Sequence, residues 1–145
     1  MASIKEIQEE IIDDFSMLDG DMEMTINYLM ELGENLPEMP DALKSDENIV
    51  KGCQSKVWLT ASLEENNISF EADSNTAITK GLVSLLVRIF SGQQAKDVLD
   101  EEIFFPEKIG MNRFIGTQRS NGFAAMIKQM KLYALALSSK SNVPN

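Results

Sequence analysis

The sequence predicts an α+β fold, a small antiparallel sheet packed against several helices in a single domain spanning residues 1–145. Two observations carry this. The runs Val57-Trp58-Leu59-Thr60-Ala61-Ser62-Leu63 and Ile68-Ser69-Phe70-Glu71-Ala72 alternate and carry strand formers, on either side of Asn66-Asn67, a pair that tolerates the positive backbone angles of a tight hairpin turn. Most of the remaining chain repeats apolar residues at helical spacing. At 145 residues the chain can bury about two thirds of the surface it exposes when unfolded, so it folds without a covalent staple.

Ile4, Ile7, Ile11, Phe15 and Leu18 recur at helical spacing, and Ser3 with Glu6 is placed as a capping box, so residues 4–18 are expected to form an amphipathic helix. Asp19-Gly20-Asp21 stops it. Asp21 then caps a second helix with Met22, Ile26, Leu29 and Met30 along one side, ended by Gly33 with Pro37 and Pro40 beyond. The two helices are expected to pack as a hairpin, with the methionines as adaptable core filler. Ile49-Val50 is placed to add a third strand, because a lone two-stranded hairpin is marginal in water.

If the hairpin turn centres on Asn66-Asn67, strand residues pair when their numbers sum to about 133, which sets Val57 and Trp58 opposite Asn75 and Thr76. Ser74 is then positioned to cap the next helix. Ile78, Gly81, Leu82, Leu85, Leu86 and Ile89 line one side of that helix, about residues 76–90, and Val83, Val87 and Phe90 extend the apolar surface around it, so it is expected at the centre of the fold. Lys80 and Arg88 must emerge at its edges or pair. A short helix is expected at Ala95–Leu99, and residues 101–118, the least periodic part, read as irregular segments and short turns. Phe123, Met126, Ile127, Met130, Ala134 and Leu137 mark a last helix at about 120–137, leaving 138–145 as a flexible tail.

The formal net charge is −10, unevenly spread: residues 1–50 carry 14 acids and 2 bases, residues 51–145 carry 9 acids and 11 bases. An acidic chain repels phosphate backbones, which argues against nucleic acid. The acidic half reads either as a solvated helix face or as an electrostatic docking surface. The most apolar stretch, Gly81 to Phe90, is interrupted by Arg88 and too short to span a bilayer, so no membrane role is expected. A single cysteine excludes an internal disulfide, and the acidic start Ile4-Lys5-Glu6-Ile7-Gln8-Glu9-Glu10 is unlike a secretory leader; both fit a reducing cytoplasm.

That cysteine, Cys53, follows Gly52, precedes Gln54 and Ser55, and is bracketed by Lys51 and Lys56. A structural cysteine usually has apolar neighbours, so this setting reads as loop chemistry, against the alternative of a thiol merely tolerated in a turn. The two lysines and the positive end of the following helix favour the thiolate, which predicts a lowered thiol pKa. Gly52 removes a side chain beside the sulfur, letting a partner approach closely. Asp73 has two readings, fixing the loop backbone or capping the helix that follows. Arg119 also has two, meeting an anion or partner carboxylate, or forming an ion pair inside the domain.

Gly52-Cys53-Gln54-Ser55-Lys56-Val57-Trp58 resembles the GCQSxVW signature of the SufE family. Three more stretches agree in order: Glu31-Leu32-Gly33 with Leu36-Pro37 resembles ELGxxLP, Ala72-Asp73-Ser74 through Lys80-Gly81-Leu82 resembles DSDAxIVKGL, and Arg119-Ser120-Asn121-Gly122 resembles SRSxG. The resemblance implies a SufE/IscU-like fold and a sulfur-acceptor protein. Such a protein takes persulfide sulfur from a SufS- or CsdA-like cysteine desulfurase onto Cys53, stimulates that enzyme, and passes sulfur to a downstream iron-sulfur scaffold. Pyridoxal phosphate would then belong to the desulfurase, and this chain would need no cofactor and no metal. The sequence departs from the family pattern at Asn75, Thr79, Thr117 and Gln118, and Phe114 stands where many relatives carry histidine; none of these touches Cys53.

Other chemistries lack the residues. With no histidine a Cys-His hydrolase cannot be built, and one cysteine holds neither an iron-sulfur cluster nor zinc within one chain. A thiol redox protein, oxidised at Cys53 and resolved by another molecule, and an acidic interaction module with an incidental cysteine stand as the alternatives.

Overall fold

In a computed structural model describing residues 2–141, the elements run α1 (Ile4–Ser16), α2 (Met22–Glu34), two 3-10 turns (Asp41–Leu43 and Asp46–Asn48), β1 (Val57–Glu64), β2 (Asn67–Ser74), α3 (Ala77–Phe90), α4 (Ala95–Asp100), α5 (Phe105–Ile109) and α6 (Met111–Ser141). β1 and β2 form a two-stranded antiparallel sheet, with α3 packed on β2 and α6 on β1. This is the α+β architecture that the alternating and helical patterns predict. None of the described helices is long and apolar enough to cross a membrane.

Apolar residues around most of α3 leave it one stable position, the centre. Leu82, Val83, Leu85, Leu86, Ile89 and Phe90 are all buried. Its two cations do pair: Arg88 meets Glu10 and Asp14 of α1 at 3.3 Å each, and Lys80 meets Asp73 of β2 at 3.4 Å. Ser3 and Glu6 form the expected capping box on α1, and Asp21 accepts from the Met24 N–H to cap α2.

The hairpin turns on Glu65 (φ 51°) and Asn66 (φ 73°), one residue before the expected centre, and pairs Val57 with Ser74 through Glu64 with Asn67. The residues facing the core are unchanged by this slide, because side chains alternate with a period of two. Hydrophobic pairing explains the choice. The observed register sets Leu63 opposite Ile68 and Ala61 opposite Phe70, whereas the expected one would set Glu65 against the fully buried Ile68. Ile49-Val50 contributes a single bridge, Ile49 to Trp58, and a hydrogen bond from Val50 N–H to the Val57 carbonyl, rather than a third strand.

α1 and α2 do not pack chiefly on each other as a hairpin. α2 lies along α3, while α1 packs on α5 and α3; α1 and α2 meet where the Phe15 ring contacts Tyr28 edge-on at 5.2 Å. Glycine is the reason. A Cβ on Gly33 would lie 2.8 Å from the Gly81 nitrogen, and one on Gly81 would lie 2.7 Å from the Leu29 carbonyl carbon. The two helices therefore touch backbone to backbone. That contact turns Thr25, Leu29 and Gly33 inward, an i, i+4 row, and rotates Met22 and Met24 into solvent, each 52% exposed, with Met17 at 80%. The methionines of this region are thus largely surface residues, not core filler.

Residues 101–118 are more helical than their sequence suggests, containing α5 and the start of α6. The buried amide of Gln8 fixes the first of them: its Nε2 donates to the Glu102 carbonyl at 3.0 Å and its Oε1 accepts from Phe104 N–H at 2.8 Å and Phe105 N–H at 3.2 Å. α6 bends at Gly116 (φ 81°, ψ 170°) and continues through Ser138 to Ser141, so that part of the expected tail is helix; residues 142–145 lie outside the described residues. Its Lys131 ammonium donates to the Val98, Leu99 and Glu101 carbonyls at the end of α4, and the Tyr133 hydroxyl donates to Leu59 of β1.

Gly81→Ala forces α2 and α3 apart at a contact with no slack, and is expected to cost about 3 kcal/mol, the upper end for overpacking. The shift of the urea unfolding midpoint measures it; a change under about 1 kcal/mol would show that the crossing tolerates a methyl group.

Candidate functional site: the Cys53 loop

Residues 51–56 form a loop closed by the Ile49–Trp58 bridge and the Val50–Val57 hydrogen bond. Its two sides are held differently. On the β1 side, Lys56 N–H donates to Asn75 Oδ1 (3.0 Å), and the Lys56 carbonyl accepts from Ser74 Oγ (2.8 Å) and Asn75 N–H (3.2 Å). Ser55 Oγ accepts from the hydroxyls of Thr76 (2.9 Å) and Thr79 (3.4 Å) at the start of α3. On the other side, Lys51, Gly52 and Gln54 are exposed and, among the described residues, no hydrogen bond ties them to another element. What holds that side is Cys53, whose thiol donates to the Gly122 carbonyl of α6 at 3.4 Å.

Cys53 is half-buried. Beside it lies a cavity of about 70 Å³ between Thr79 and Leu82 of α3 and Gln118, Arg119, Gly122 and Met126 of α6. Burial pushes the thiol pKa up, which reverses the expected lowering. Lys51 and Lys56 are both exposed, so water screens them, while the sulfur itself has lost hydration. Gly52 serves the loop itself: its φ is +101°, and a Cβ there would lie 3.2 Å from the Ala125 methyl of α6.

The secondary candidates separate. Arg119 is brought to the cysteine, lining the cavity, with its guanidinium donating to the Ile115 carbonyl at 3.4 Å; among the described residues it has no carboxylate partner. Ser74 does not cap α3. Thr76 holds the N-cap position, without a side-chain capping bond, and Ser74 ties β2 to the loop instead.

Asp73 is 2% exposed and lies outside the cavity. Its carboxylate accepts from Met39 N–H (3.1 Å) and Ser74 N–H (2.8 Å) and pairs with Lys44 (3.5 Å) and Lys80 (3.4 Å). Burial alone would raise its pKa; the two N–H donors and Lys80 outweigh this and hold it below the ordinary carboxylate value. It anchors the 37–44 segment to the sheet, and its hydrogen bonds go to Met39 and Ser74 rather than to the cysteine-loop backbone. Phe114 stacks on Phe15 of α1 at 6.4 Å, away from Cys53. Thr79, Leu82, Gln118 and Met126 were not singled out as site residues from sequence; 118, 119, 122 and 126 share one helical face, the only local signal that groups them.

Comparison with known proteins matches residues 9–134 to a family described as SufE, Fe-S metabolism associated domain. The chain is 41% identical over 129 residues to an uncharacterised SufE-like protein of Rhizobium meliloti, covering 85% of this chain and 91% of that one. It is 39% identical over 113 residues to SufE-like protein 1, chloroplastic/mitochondrial, of Arabidopsis thaliana, covering 77% of this chain and 30% of that one. A solution structure of a hypothetical protein from Thermus thermophilus shares the fold, with a TM-score of 0.75, 17% identity, and coverage of 92% and 96% of the two chains.

With its pKa raised, the Cys53 thiol is expected to alkylate with a pH midpoint above the roughly 8.5 of a free cysteine; a midpoint below that value in an iodoacetamide rate profile would contradict the buried state. Asp73→Asn is expected to cost about 2 kcal/mol at pH 7, the scale of lost charge-assisted hydrogen bonds. The folded carboxyl pKa is depressed, so its contribution is present above the unfolded value near 3.9 and is lost as pH falls through the folded one. Urea unfolding at pH 7 and pH 3 is therefore expected to show the wild-type advantage shrinking in acid.

Proposed function

The chain belongs to the SufE family, a family associated with iron-sulfur metabolism, and from that membership together with the site geometry we propose that it is a sulfur acceptor working through Cys53. The observation that carries this reading is a half-buried thiol on a loop held firmly at one side and at the other by the thiol's own hydrogen bond, beside a cavity carrying an arginine with no carboxylate partner among the described residues. The partner is a cysteine desulfurase of the SufS or CsdA kind, which holds the pyridoxal phosphate, and the recipient is an iron-sulfur scaffold. A reducing compartment such as the cytoplasm keeps Cys53 as a thiol.

The transfer is a thiol–disulfide-type exchange. The Cys53 thiolate attacks the outer sulfur of a cysteine persulfide on the desulfurase; a new S–S bond forms at Cys53, the partner's S–S bond breaks, and the partner's thiolate leaves. In the resting fold the reaction is suppressed twice, because the thiol is protonated and half-covered. Swinging the Lys51–Gln54 side outward disrupts one weak hydrogen bond, worth about 1 kcal/mol, and the packing of the half-buried thiol against the core, while Ser55 stays fixed on the start of α3 and Lys56 on Ser74 and Asn75. Docking on the desulfurase supplies that cost, and binding that also removes product sulfur from the enzyme accounts for its stimulation. Arg119, exposed at the cavity, is available to an anionic sulfur or to a partner carboxylate.

The test is intact-mass spectrometry after incubation with an active desulfurase and free cysteine. A gain of one sulfur atom, removed by reductant and mapped to Cys53, is expected for the wild type, and none for Cys53→Ser, which keeps its fold and its desulfurase binding. Equal stimulation of desulfurase turnover by Cys53→Ser would remove the thiol from the mechanism and favour a redox or purely interacting protein.

A further inference from the structure

α6, just beyond its bend at Gly116, is shaped around the sulfur at one residue. A Cβ built on Gly122 would lie 3.3 Å from Cys53 Sγ, tight enough that the sulfur must give by a few tenths of an ångström, while the 3.6 Å and 3.7 Å to the cysteine Cα and Cβ are ordinary contacts. Glycine is a poor helix residue, and Gly122 is buried within a helix; close approach of the cysteine gives it a reason to be there. The same residue's carbonyl accepts the thiol hydrogen bond at 3.4 Å.

That bond depends on where the proton is. A carbonyl oxygen only accepts, so a thiolate in the same place would face its lone pairs. A persulfidated cysteine fails too, because its inner sulfur is bonded to carbon and to the outer sulfur and carries no hydrogen. Both forms lose the one hydrogen bond joining the Lys51–Gln54 side of the loop to α6, while the Ser55 and Lys56 contacts to α3 and β2 are untouched. Among the described residues, the charged groups around the sulfur are Arg119 on α6 and the exposed Lys51 and Lys56 of the loop, α3 contributes the Thr79 hydroxyl and the apolar Leu82, and no carboxylate lines the cavity.

We propose that Gly122 is the positioning residue for Cys53, a seat that holds the loop inward while Sγ carries a proton and releases it once that sulfur is ionised or loaded. An empty carrier thus stays closed until it docks, and a loaded one opens toward its recipient. The part concerning the loaded state rests on the sulfur-acceptor reading; the seat itself does not.

The experiment compares the pH profile of iodoacetamide alkylation at Cys53 in the wild type, Gly122→Ala and, as a neighbouring control, Asn121→Ala. Gly122→Ala is expected to lower the midpoint by about one pH unit and raise the pH 7 rate about tenfold, with Asn121→Ala unchanged. An unchanged or slower rate in Gly122→Ala would overturn the seat. If Gly122→Ala does not fold, hydrogen–deuterium exchange on Cys53→Ala answers the same question, since it removes the S–H donor and adds no bulk. Faster exchange at residues 51–54 with 55 and 56 unchanged is expected, and equal exchange would overturn the proposal. Neither measurement uses a desulfurase, so failure of sulfur acceptance in the mass experiment leaves their outcome standing, and the reverse.

Discussion

The contact on which the rest of this fold depends is the backbone crossing of α2 and α3 at Gly33 and Gly81. Side chains normally keep helix axes 8–10 Å apart; here each glycine leaves room only for the other helix's main chain. Fixing α3 against α2 also fixes everything attached to the first turns of α3. Lys80, next to Gly81, reaches Asp73; Thr79 and Thr76 hold Ser55; Asn75 and Ser74, just before the helix, hold Lys56. The cysteine loop is positioned by a helix whose own position is set by two missing side chains.

The loop so positioned is asymmetric, and its chemistry follows from that asymmetry. Ser55 and Lys56 are bound into α3 and β2, whereas Cys53 rests on α6 by one sulfur hydrogen bond. Sulfur is a weak donor, so the contact is suited to being broken. It also leaves the thiol half out of water, and the resulting preference for the neutral form outweighs two lysines that remain in solvent. A protonated, half-buried thiol is both a poor nucleophile and a poor target for oxidants.

The acidic N-terminal half is partly consumed by the fold. Glu6 and Asp21 cap helices, Glu10 and Asp14 neutralise Arg88, and Glu38 and Asp41 approach Lys44. These exposed pairs contribute little individually. Asp73 is different, because its carboxylate is buried and held by two backbone N–H groups and two lysines. It joins the 37–44 segment, the sheet and α3 at one point, which accounts for a charged residue being kept in the core.

Much of this molecule was determined by local sequence. The capping box at Ser3 and Glu6, the Asp21 cap, the alternating strands and the apolar α3 are set by residues within a few positions of one another, and they appear where short-range chemistry puts them. The same is true of Cys53 as a loop thiol, since its neighbours are its nearest residues in sequence. Tertiary structure decided what depends on distant partners. Which face of α2 turns inward followed from Gly81, 48 positions beyond Gly33, not from the spacing of Met22, Ile26 and Met30. Gln8 fixed the backbone of residues 102–105 at the entry to α5, within the least periodic stretch of the chain. The hairpin register followed from burying Ile68 opposite Leu63. The thiol's preference for its proton followed from Gly122 and the walls of α3 and α6, because desolvation is a property of what surrounds a group in space, and adjacent lysines in the sequence say nothing about it.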